Sequence, residues 1–108
     1  VDLDDVIRRA WAQHLEATAA CARHLVEHGE LLARGTTVAE EDHRRALAAA
    51  HRLAGSLGMF GMHAGSELAA RLERDLTDAR SSHLTGGSFS DVALELARIV
   101  EAGPPSRS

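Results

Sequence analysis

Apolar residues recur along this chain at steps of three, four and seven, the spacing of amphipathic helices, and no segment alternates as a strand would. The first stripe reads Ile7, Trp11, His14, Thr18, Cys21, Leu25 and Leu32. Asp2, Asp4 and Asp5 lie at its start, where the helix macrodipole favours negative charge. This helix is predicted to run to Arg34, with Gly35 as its C-cap. Gly29 leaves a second arrangement open, in which the segment bends or divides and a short extra N-terminal helix precedes the main one.

Thr37-Val38-Ala39-Glu40 has the form of a capping box and is expected to open the second helix. With Ala50 at the centre of a buried face, Ala46, Leu47, Leu53, Ala54 and Leu57 fall within about 60° of it at about 100° per residue. Gly58 is expected to end this helix, and Gly61 to bound a short turn holding Met59 and Phe60. Those two residues read as core or turn packing, with an exposed edge open to docking. A third stripe follows at Gly65, Leu68, Ala69, Leu72, Leu76 and Ala79. Ser81 to Gly87 reads as a loop. Ser88 or Ser90 then caps a last helix that turns Val92, Leu96, Ile99 and Val100 inward, and Gly103 and two prolines stop it. Four helices with short connections predict an all-α fold, an antiparallel four-helix bundle over residues 1–103, with 104–108 as tail or linker. That fold alone carries no function.

Composition narrows the picture. Of 108 residues, 44% are apolar but only 3% aromatic, so the core must be built of Leu, Ala and Val. A net charge of −4 offers no basic footprint for nucleic acid. A single cysteine excludes an intramolecular disulfide framework and suits a reducing compartment. The longest apolar run, Ala46 to Ala50, is far too short for membrane insertion, and no signal peptide is visible. The expectation is a cytoplasmic, monomeric domain. The start at Val1 and the Gly103-Pro104-Pro105 ending suggest one cut from a longer protein.

The candidate chemistry lies on the second helix. His51 falls at about 100° from the buried centre, on the border with solvent. Gly55 follows one turn later, Ala48 sits nearly one turn earlier, and Arg44 lies beyond on the same stripe, with Arg52 beside it. A histidine at a core edge is usually a plain surface side chain. Glycine inside a helix, however, costs roughly 0.8–1.0 kcal/mol relative to alanine. Propensity gives no reason for Gly55, whereas close approach by another molecule does. Glu73 is one residue beyond Leu72, as His51 is one beyond Ala50. Side chains lean toward their helix N-terminus, so in antiparallel neighbours these two lean toward each other.

The run His51-Arg52-Leu53-Ala54-Gly55-Ser56, then Phe60-Gly61, then Leu72-Glu73 resembles the signature of histidine-containing phosphotransfer (HPt) domains. The likeness is close over residues 50–73 and extends elsewhere only to helical layout. It implies that His51 accepts a phosphoryl group from a receiver-domain phospho-aspartate or a sensor histidine kinase and passes it to a response regulator. It also implies that Glu73 orients the imidazole, and that Gly55, Ala48, Arg44, Arg52 and Ala54 face the partner. The family usually has lysine where Ala54 stands, and Arg52 is the candidate to supply that charge. Neutral imidazole is the nucleophile this chemistry needs, and unperturbed histidine is mostly neutral at neutral pH. No phosphate-binding glycine loop or metal-binding carboxylate set is present, so a carrier without kinase activity or cofactor is expected, with Mg²⁺ and the aspartate supplied by the partner. The alternative is an HPt-like interaction or dimerisation domain that no longer carries phosphate, for which the missing lysine speaks.

Two other patterns have the residue types of a metal site. Cys21, His24 and His28 share one side of the first helix, but nothing supplies a fourth ligand. Glu40-x-x-His43 stands alone where a di-iron bundle needs two such pairs and two more glutamates. No metal site is assigned.

Overall fold

Helix α1 spans Leu3–Ala33 as one continuous element in the computed structural model, which describes residues 2–78 and 86–104. Its 31 residues measure about 46 Å at 1.5 Å per residue and run along the 50 Å axis of the molecule. Asp2 caps the start by accepting from the Asp4 N–H at 3.0 Å. The end is a Schellman turn: Gly35, at φ 71°, donates to Leu32 O at 3.0 Å, and Thr36 donates to Leu31 O at 3.0 Å.

No break occurs at Gly29, and no separate N-terminal helix forms. The glycine serves packing instead. A Cβ there would stand 3.0 Å from the Cα of Ser90 and 3.1 Å from Cδ1 of Phe89, so its absence lets the last helix approach.

Helix α2 spans Glu40–Met59 and α3 spans His63–Thr77. The expected capping box is not made. The N-cap is Ala39, without a side-chain bond, because the helix begins three residues beyond Thr37. Glu40, Glu41 and Asp42 crowd the first turn instead, where the helix dipole favours them. Nor does Gly58 end the helix. The chain turns at Gly61, φ 74°, whose N–H meets Gly58 O at 3.1 Å while Met62 N–H meets Leu57 O at 2.9 Å. This second Schellman turn delivers Met62 into the core.

Helix α4 spans Gly86–Ala102. Of the expected loop from Ser81 to Gly87, residues 81–85 lie outside the described residues, as does Ala79. Gly86 and Gly87 are already helical, and Ser88 and Ser90 stand within the helix rather than capping it. Phe89, fully buried, anchors this first turn in the core, and such packing overrides the weak propensity of glycine.

Each helix packs on two neighbours: α1 on α2 and α4, and α3 on α2 and α4. With short connections, this ring is an antiparallel four-helix bundle. Leu25, Leu53, Leu57, Leu72, Leu76, Leu96 and Val100 fill its core, with Ala46, Ala50, Ala69 and Ala93 fully buried among them. Trp11 closes one end, with Phe60 edge-on to its ring at 5.1 Å and Gly103 beside its Nε1. The first turns of α1 extend past that plug, leaving Leu3 and Val6 exposed. No helix among the described residues is long and apolar enough to cross a membrane.

Candidate functional site

The face that α2 turns outward is nearly bare. Ala48, His51, Arg52 and Gly55 are all exposed, Arg44 begins the strip, and Ala54 is half-buried at its inner edge. The His51 side chain is 77% exposed. A Cβ added to Gly55 would find nothing within 4 Å. Packing therefore gives no reason for that glycine, unlike Gly29.

Leu53, Leu57, Leu72 and Leu76 bury the facing sides of α2 and α3 and hold the two helices together. Glu73, one residue from Leu72, is thereby turned to the edge where His51 emerges. Its Oε2 lies 2.7 Å from Nδ1 of His51, across 22 residues of sequence. An ionised carboxylate only accepts, so Nδ1 carries the proton and donates it. The lone pair then resides on Nε2. The Glu73 side chain is 31% exposed, more sheltered than the ring it holds.

The arginines differ in their commitments. Arg44 reaches Glu40 at 3.4 Å and Arg45 reaches Glu41 at 2.9 Å, both solvent-exposed pairs of the kind worth at most about 1 kcal/mol. Arg52 makes no ion pair among the described residues. It borders, with Arg45, a shallow groove of about 510 Å³ between α1 and α2, floored by Ala17, Ala20, Cys21, Ala48 and Ala49. Met59, expected in packing, is 85% exposed two turns along the same helix. Phe60 is half-buried against Trp11 and His14.

One contact had no signal in the sequence. The Ser66 hydroxyl on α3 donates to Ala54 O on α2 at 2.7 Å. Serine is common in first turns of helices, and nothing in the pattern says that this one reaches across.

The Cys21, His24 and His28 set does not assemble. His28 is buried and packs edge-on to Phe89 at 5.8 Å and near the His43 ring at 6.2 Å, while Cys21 stays half-buried. Among the described residues no group of three or more His, Cys, Asp or Glu side chains could hold a metal ion. Nε2 of His24 and of His28 are buried without hydrogen-bond partners. Burial, then the neighbouring His43 and His24, push the His28 imidazole below the usual histidine range, with Asp42 opposing.

No curated protein and no solved structure matches the chain. Residues 5–102 match the family described as Hpt domain, a range that holds α1 from Asp5 onward, the other three helices and both members of the His51–Glu73 pair. A match over nearly the whole length, on a bundle of the expected architecture, makes this chain a member of the Hpt domain family.

Proposed function

We propose that His51 is the phospho-acceptor of a phosphorelay module, receiving its group from a receiver-domain phospho-aspartate or a kinase and passing it to a response regulator. Hpt domains act as phosphocarriers in two-component signalling, and that general role comes with the family. The assignment to His51 rests on one observation: an exposed imidazole whose Nδ1 is engaged by Glu73 at 2.7 Å, so that Nε2 is the nitrogen left to react.

The Nε2 lone pair attacks the phosphorus of the acyl phosphate. A P–N bond forms as the P–O bond to the aspartate breaks, and the carboxylate leaves with the bonding pair. Glu73 keeps hold of the Nδ1 proton and offsets the positive charge that grows on the ring. The carrier holds no cofactor of its own in this reading, and Mg²⁺ belongs to the receiver, where it neutralises the transferring group. Gly55 and Ala48 clear the approach. Arg44 and Arg52 steer the acidic receiver pocket, and Arg52 takes over the charge that lysine carries where Ala54 stands. The groove beside Arg52 receives an apolar surface of the same partner. The module works as a monomer in the cytoplasm, where receivers and kinases meet it.

The second reading is an interaction or dimerisation domain without phosphate, favoured by Ala54. One experiment separates them. Mixed with a phosphorylated cognate receiver, the chain should acquire an acid-labile, alkali-stable phosphate that His51→Gln abolishes. Undiminished label in that variant removes His51 as acceptor, and no transfer from any cognate receiver leaves the interaction reading.

A further inference from the structure

Among the described residues, the two side-chain hydrogen bonds that cross between helices both join α2 to α3. One is His51 to Glu73. The other is the Ser66 hydroxyl to Ala54 O, at 2.7 Å and partly buried. Hydroxyls inside helices commonly bond back to the carbonyl four residues earlier. Thr18 does so to His14 O and Thr77 to Glu73 O, each at 2.8 Å. Ser66 instead spends its donor on the neighbouring helix.

Its place in the register is informative. Ser66 precedes Glu73 by seven residues, and Gly58 follows His51 by seven. Seven residues are about two helical turns, which return a side chain nearly to the same face. In antiparallel helices, Ser66 opposite Gly58 is therefore the same alignment as Glu73 opposite His51. The contact is real: a Cβ on Gly58 would come within 3.4 Å of the Ser66 Oγ. The adjoining Gly65 is seated more tightly, since a Cβ there would lie 2.9 Å from Leu57 Cδ1 and 3.0 Å from Ile99 Cγ2. Leucine side chains interdigitate but tolerate small slides along the helix axis. A hydrogen bond to a backbone carbonyl weakens steeply with such a slide.

We propose that Ser66 is a positioning residue for the His51–Glu73 pair: its hydroxyl fixes the register of α3 on α2 that sets the Glu73 carboxylate against Nδ1. Its consequence for phosphotransfer rests on His51 being the acceptor, but its geometry does not. Removing the hydroxyl leaves Ala54 O bonded within its own helix and puts a better helix former at position 66, so Ser66→Ala should retain the fold.

The test is the tautomer of His51, read from the ¹⁵N shifts of its ring nitrogens at alkaline pH, where the ring is neutral. The wild type should hold the proton on Nδ1, Glu73→Ala should release it toward Nε2, and Ser66→Ala should fall between. Transfer from a phosphorylated receiver should slow about threefold in Ser66→Ala, less than in Glu73→Ala. In the Glu73→Ala background, Ser66→Ala should slow it no further, because a residue that acts through another has nothing left to act on. An unchanged tautomer in Ser66→Ala, or equal slowing in both backgrounds, overturns the proposal. A tautomer that responds in a chain that accepts no phosphate upholds the positioning role and strikes out the acceptor role alone.

Discussion

Glu73 holds its Oε2 2.7 Å from Nδ1 of His51, the more sheltered of the two side chains against the more exposed one. In the proposed role the carboxylate does two separable things: as an acceptor it selects the ring tautomer, and as a charge it would stabilise the ring once Nε2 is phosphorylated.

Substitution at Glu73 separates these. Glu73→Gln keeps an acceptor and removes the charge, whereas Glu73→Ala removes both. Transfer rates should run wild type, close behind it Gln, then Ala, with the alanine loss about tenfold rather than thousandfold. In phosphoryl transfer generally, positioning and metal charge carry most of the catalysis, so Glu73 should assist without being indispensable. Single-turnover transfer measures the order, and an alanine variant as fast as wild type makes Glu73 a surface charge.

Gly55 should be dispensable for folding and needed for docking. Because a Cβ there meets nothing, Gly55→Ala should raise stability by up to about 1 kcal/mol in chemical denaturation. Gly55→Gln should keep the helical circular dichroism yet weaken receiver binding, since its longer side chain stands beside His51. Equal affinities for wild type and Gly55→Gln exclude close approach as the reason for the glycine.

The same alanine substitution at Gly29 should act in the opposite sense. Its Cβ would meet the Ser90 backbone at 3.0 Å, and backbone cannot swing aside as a side-chain tip does. Overpacking of this kind costs about 1–3 kcal/mol, more than the gain in helix propensity of roughly 1 kcal/mol. A lower melting temperature for Gly29→Ala is expected, and an unchanged or higher one shows that α4 yields freely.

His28 should make the fold acid-sensitive. Its folded-state pKa lies below the ordinary 6.5, chiefly because the ring is buried and then because His43 and His24 are near. Between those two values the unfolded chain binds the proton that the folded chain refuses. Stability is therefore complete above the ordinary value and declines as pH falls toward the folded-state one. His28→Leu should flatten that decline without loss at neutral pH, since it also removes a buried Nε2 that has no partner. Urea midpoints across mildly acid pH report it. An identical slope in the variant transfers the effect to another group.

Helical periodicity made much of this protein readable in one dimension. The stripes of α1, α2 and α3 mark faces that are largely buried, because a core facing one side of a helix must repeat with its turn. Gly35 as the first helix stop was readable too, since positive φ suits glycine alone. Even the meeting of His51 and Glu73 follows from position, each one step beyond a buried residue on antiparallel neighbours. What periodicity does not carry is contact between helices at the level of single atoms. Gly29, Gly58 and Gly61 look alike in sequence as places to bend or stop. Only the approach of Ser90 makes Gly29 a packing residue, and only the seating of Met62 in the core selects Gly61 over Gly58 for the turn. His14 and His28 both lie on or beside the first apolar stripe, yet one is exposed and the other buried, because Phe89 arrives from the far end of the chain to cover His28. The Ser66 bond to Ala54 belongs to the same class. Its donor is set by a helix position and its acceptor by a neighbouring backbone, and their distance exists only once α2 and α3 have packed.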